Sequence, residues 1–129
     1  MKRFAFATAV FALTGTAGFA DPAHGIWATA PDDNGNFGHI RVTNCDDTIC
    51  GALIRAFGPD GQEMESENVG RAIVWGMEPR GDGQYRGGRV WAPDRDQTYS
   101  ARMELSGDRL SVSGCVLLFC REAVWQRVR

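Results

Sequence analysis

Lysine is almost missing from this 129-residue chain: Lys2 is the only one, and every later base is arginine apart from two histidines, His24 and His39. The chain has no excess of positive charge either, with a formal net charge of −2. A nucleic-acid partner would call for a basic stripe, so that class is excluded. No Gly-x-Ser-x-Gly nucleophile elbow is present, and two histidines give little material for a nucleophile–base–carboxylate site. A helix-period pattern of useful length is also lacking, which argues against a helical core.

The apolar stretch at the N-terminus is too short to cross a bilayer, which takes about 20 residues. Met1, Lys2 and Arg3 form a positive start, and Phe4 to Phe19 carries no charge. Gly18 and Ala20 place small residues three and one positions before a cut ahead of Asp21-Pro22. This pattern predicts a secretory signal peptide over residues 1–20, cleaved after Ala20. Neither a cysteine at the cut nor a twin arginine is present, so the general secretory route is expected. Residues 21–129 then form one domain with no transmembrane segment, in the periplasm or secreted.

Four cysteines remain in that domain: Cys45, Cys50, Cys115 and Cys120. An oxidising compartment preserves disulfides, and small domains need them. Three pairings are open. The equal spacing within each pair favours Cys45–Cys50 and Cys115–Cys120, each clipping a tight hairpin. A zinc site or a redox pair is the alternative, although those motifs commonly use different spacings.

What fills the chain is short alternating segments separated by turn residues. Strands are expected at 25–29, 37–45, 50–57, 72–77, 85–92, 98–105, 109–115 and 123–128, with 58–68 a polar loop. Tyr99, Ala101, Met103 and Leu105 alternate with Ser100, Arg102 and Glu104, the mark of a half-buried strand. About eight such strands predict an all-β fold, a small antiparallel up-and-down barrel, with a two-sheet sandwich as the alternative. Closing the sheet removes exposed edges.

Particular residues carry a resemblance. Gly25-x-Trp27, the Cys45–Cys50 hairpin with Gly51, Gly87-Gly88-Arg89-Val90-Trp91-x-Pro93 before Thr98-Tyr99-Ser100, and Gly114-Cys115 through Cys120-Arg121 to Trp125-x-Arg127-Val128 occur in order. Together they resemble the exported bacterial family called domain of unknown function 2147, over nearly all of residues 21–129. That family implies no biochemical activity. A more distant resemblance reaches the lipocalin-like barrels, which begin with Gly-x-Trp. It implies structural roles for Gly25, Trp27, Trp125 and Arg127, with Arg127 covering the Trp27 indole.

For function, the candidate ligand-binding residues are Trp75, Tyr85, Arg89, Trp91, Tyr99 and Met103. An aromatic face with one arginine suits an amphipathic ligand with an acidic head. Val116, Leu117, Leu118 and Phe119, four apolar residues between two cysteines, are candidates for partner contact. The acidic residues, such as Asp46-Asp47 and Asp94-x-Asp96, sit in predicted turns, where Asp serves turn geometry. No catalytic residue, metal ligand or cofactor site is assigned. Two readings follow: a periplasmic binder of a small amphipathic or lipid-like ligand, and an interaction module of the envelope, such as a stress factor or an inhibitor of a cell-wall enzyme. An enzyme is not expected.

Overall fold

The computed structural model describes residues 20–129. The expected signal peptide lies outside the described residues except for Ala20. The strands are β1 (Gly25–Ala28), β2 (Phe37–Cys45), β3 (Thr48–Phe57), β4 (Glu63–Met64), β5 (Ala72–Gly81), β6 (Gln84–Ala92), β7 (Gln97–Ser106), β8 (Arg109–Val116) and β9 (Phe119–Arg127). Every pairing is antiparallel, and the order β2-β1-β9-β8-β7-β6-β5-β3 is closed by β2 against β3. Eight strands thus form a barrel, with the two-residue β4 attached outside it on β3. The segment 58–68, expected as loop throughout, contributes that short strand.

Alternation explains most of the packing. Ala101 and Met103 of β7 are buried, and their register partners Gly114 and Val112 face them across β8. Ser113 lies on the outer face between Arg102 and Glu122, yet only 8% of it is exposed. No helix among the described residues is long and apolar enough to cross a membrane.

The two ends of the barrel differ. At one end lie the turns at Asp46–Asp47, Asp82–Gly83 and Gly107–Asp108, together with residues 21–24. That end is filled. Trp27, Met77 and Leu110 are 0% exposed, and Met103 is 1% exposed. The Trp27 indole N–H donates to the Ala23 carbonyl at 2.9 Å. Above the ring sits Arg127, whose guanidinium carbon is 4.3 Å from the indole centroid. Gly25 has a φ of +135°, and a Cβ there would stand 2.9 Å from Arg127 Nη1. Glycine is therefore required both by its conformation and by the close approach of the arginine.

Two disulfides pin hairpins at opposite ends. Cys45 bonds to Cys50 at the filled end and Cys115 to Cys120 at the other. Each clip of about six residues is worth up to about 2 kcal/mol in the chain-entropy picture.

Candidate functional site

At the other end the barrel is open. Loops 29–36, 58–71 and 93–96 and the β8–β9 turn surround a cavity of about 510 Å³, within the range of ~300–1,000 Å³ usual for small-molecule sites. The cavity follows from the sizes of the inward residues. Near the mouth these are small: Gly38, Ala56, Gly114 and Ala123. Near the closed end they are Trp27, Met77, Tyr85 and Met103. The barrel is thus plugged below and hollow above. Ile40, Leu53, Val112 and Trp125 give the hollow an apolar wall.

Charged groups stand at the rim. Asp32 Oδ1 accepts the backbone N–H groups of Asn34 at 2.8 Å and Asn36 at 3.0 Å, which shapes the 29–36 loop. The next residue, Asp33, reaches outward to two arginines. Arg95 Nη2 lies 3.1 Å from one of its oxygens and Arg121 Nη2 3.4 Å from the other. Arg121 occupies the inner face of β9, in series with Phe119, Ala123 and Trp125, whose register partners Val116, Val112 and Leu110 are on the inner face of β8. It therefore stands directly above the apolar wall.

Of the six residues expected to bind ligand, Trp91 and Tyr99 border the cavity. The Trp91 indole N–H donates to Asp96 Oδ1 at 2.9 Å, and the Arg71 guanidinium carbon lies 3.4 Å from its ring centroid. Trp75, Tyr85, Arg89 and Met103 do not border it. For Arg89 the reason is a bulge in β6 between Tyr85 and Gly88, where Gly87 has a φ of +82°. The bulge inserts one residue and reverses the alternation. Tyr85 and Gly88 both point inward, while Arg89 is exposed on the outer face, opposite Trp75. Met103 is buried in the closed half. Tyr85 is buried there too, and its hydroxyl donates to Asp21 Oδ1 at 2.5 Å. Burial, and then the Asp21 carboxylate, push its ionisation well above the ordinary tyrosine range.

The sequence signal missed Arg95, Arg121 and Asp33. Arg95 sat in what read as a plain turn and Arg121 beyond a disulfide, with no local pattern linking them to Asp33.

Neither histidine borders the cavity. His24 Nε2 is 3.0 Å from Asn44 Oδ1. His39 packs on Phe57 with ring centroids 4.6 Å apart, and burial, then the charge of Arg55, lower its pKa against an opposing effect of Glu63. Among the described residues no group of three or more metal-ligating side chains converges.

The residues expected to meet a partner form the mouth's most prominent feature. Strand β9 starts at Phe119, not at Ala123 as the sequence suggested, so the turn is only Leu117–Leu118, and Val116 pairs with Phe119. Leu117 is 91% exposed, Leu118 94% and Phe119 81%. Val116 and Phe119 also border the cavity.

This architecture has a solved relative. A Helicobacter pylori protein described as belonging to the lipocalin family superimposes with a TM-score of 0.67 at 13% identity, over 82% of each chain. At that identity the likeness shows the fold, and the barrel is lipocalin-like. No curated protein matches the sequence. Residues 25–127, from the glycine over the Trp27 plug to the arginine that covers it, match the model of the uncharacterized proteins conserved in bacteria called DUF2147, and the chain belongs to that family.

Proposed function

We propose that the protein is an exported carrier that holds one small amphipathic or lipid-like molecule in the open half of the barrel and does not transform it. The observation that carries this reading is the cavity itself: closed below by large side chains, walled by apolar ones, and rimmed by charges. An apolar body would occupy the wall region. A polar head would meet Asp33, Arg95 and Arg121 at the rim. The apolar wall of Ile40, Leu53, Val112 and Trp125 supports the holding of an apolar body. Two disulfides, with the signal-like N-terminal sequence, support an exported location.

The test is native mass spectrometry on protein purified without detergent, followed by organic extraction. A bound mass that releases a lipid or amphipathic acid or amine supports the carrier reading. Protein that is empty and also fails to take up a fluorescent fatty-acid analogue overturns it. The exposure of the Val116–Phe119 tip is the observation behind a second reading, a protein-interaction module of the envelope. Loss of a co-purifying protein on Leu117→Ser with Phe119→Ser would support that reading.

A further inference from the structure

Among the described residues, four turns of two residues join long strands: Asp46–Asp47, Asp82–Gly83, Gly107–Asp108 and Leu117–Leu118. In each, the first residue has a positive φ, at 57° for Asp46, 56° for Asp82, 62° for Gly107 and 58° for Leu117. Glycine, Asn and Asp tolerate this conformation, and larger side chains are strained in it. The three turns at the closed end obey that preference. The one at the open end places a leucine in the strained position and leaves it 91% exposed. No packing offsets the strain, and a second exposed leucine follows. Two local rules are broken at one site, which is where function is to be sought.

The tip is also preorganised. The Cys115–Cys120 disulfide closes the pair just behind Val116 and Phe119, with its Cα atoms 4.0 Å apart. Holding the apolar side chains outward therefore needs little further ordering on contact.

We propose that the Val116–Phe119 tip docks the open end of the barrel on a lipid bilayer, with Leu117, Leu118 and Phe119 entering the acyl boundary. Shape favours a bilayer over a protein. A specific protein interface buries about 800 Å² per partner over some 20–30 residues. Here the apolar surface is a narrow, convex tip with charged residues directly behind it. Arg121 stands two residues, about 7 Å, behind Phe119 along the strand. Interfacial apolar groups sink ~5–10 Å, so the rim charges would lie at headgroup level. The mouth holds both signs, Arg95 and Arg121 beside Asp32, Asp33, Asp94 and Glu122, which suits a zwitterionic headgroup layer and not a strongly anionic one. Val116 and Phe119 belong to the tip and to the cavity wall at once. The docked surface therefore adjoins the mouth of the barrel, with Arg121 standing between Phe119 and the apolar wall.

Docking rests on the tip and not on the occupancy of the cavity, so the two readings fail separately. The experiment is flotation with phosphatidylethanolamine–phosphatidylcholine vesicles, using protein expressed from the full coding sequence with its intact mass recorded. Wild type should float with the vesicles. The double variant Leu117→Gly, Leu118→Ser should partition at least about tenfold more weakly, from the loss of two apolar side chains. Its thermal midpoint should not fall, because glycine suits the φ of residue 117, so misfolding cannot explain the loss. Wild type that remains in the lower fraction, or a variant that floats equally, overturns the proposal. Tip-dependent crosslinking to a protein without flotation also overturns it and leaves the tip as a protein epitope. Protein that floats through its tip but yields no extractable ligand upholds docking while counting against the carrier reading.

Discussion

Arg127 covers Trp27: its guanidinium carbon lies 4.3 Å from the indole centroid, and the two residues are opposite each other in the β1–β9 register. The same side chain donates to the carbonyls of Pro22 at 2.9 Å and His24 at 3.0 Å, and to Asp108 Oδ1 at 3.1 Å. One arginine thus ties the incoming segment to the last strand and seals the barrel floor. Cation–π contact contributes about 0.5–2 kcal/mol, and each hydrogen bond about 1 kcal/mol. Arg127→Ala should cost about 2–4 kcal/mol in urea unfolding. Arg127→Lys should recover less than half of that, because an ammonium cannot serve three acceptors in a planar fork.

Alkaline pH should weaken the same end of the barrel. Tyr85 ionises above its ordinary value of 10.0 in the fold, because it is buried and bonded to the Asp21 carboxylate. A raised folded pKa means that its contribution is complete below about pH 10 and is lost as pH rises beyond it. The unfolded chain then ionises first, at a cost of up to roughly 1.4 kcal/mol per pH unit for one group. The chain has two tyrosines. In a Tyr99→Phe background, ultraviolet titration should show the remaining phenol resisting ionisation well past pH 10 while the protein stays folded. Titration near pH 10 would mean that the Asp21–Tyr85 contact does not persist in solution.

The contrast between these two residues shows where the sequence was legible. Trp27 and Arg127 were readable because a short motif at each end of the chain carries them. Strand β7 was readable because Tyr99 to Leu105 alternate without interruption. Strand β6 was not, because the bulge at Gly87 changes the phase without changing the hydrophobic pattern. That single residue turned Arg89 outward, whereas Tyr85 lies in the closed half because it follows the Asp82–Gly83 turn. The start of β9 was hidden for another reason: Phe119 to Glu122 shows no apolar alternation, and pairing across the disulfide determines its conformation. The rim cluster joins residues 62 and 88 positions apart, and no local pattern encodes such contacts. The cavity depends on the difference in size between inward residues at the two ends. That difference becomes visible only once the register is known.

Asp33 offers a test of the mouth that spares the fold. Its ion pairs to Arg95 and Arg121 are exposed, with 62% of its side chain accessible, and such pairs contribute about 0–1 kcal/mol. Asp33→Asn should shift stability by no more than about 0.5 kcal/mol. It should nevertheless release the 29–36 loop from the 93–96 loop and β9, so a bound fluorescent amphipath should leave faster in stopped-flow displacement. An unchanged off-rate would mean that the Asp33 bridges do not restrain the mouth.

Ala123 separates a filled barrel from a working cavity. It is half-buried on the inner face of β9, paired with the buried Val112, and it borders the hollow. In a packed core, adding an indole here would overpack by about 1–3 kcal/mol or more. In a hollow of about 510 Å³ the added ring has room, so Ala123→Trp should keep stability within about 1.5 kcal/mol of wild type. The ring would occupy the volume proposed for the ligand's apolar body, so the same variant should show neither the bound mass expected of wild type in native mass spectrometry nor the uptake of a fluorescent fatty-acid analogue. Unchanged stability with full uptake would place the ligand elsewhere on the molecule. A large loss of stability would mean that the open half of the barrel collapses in solution, and the carrier reading would lose its basis.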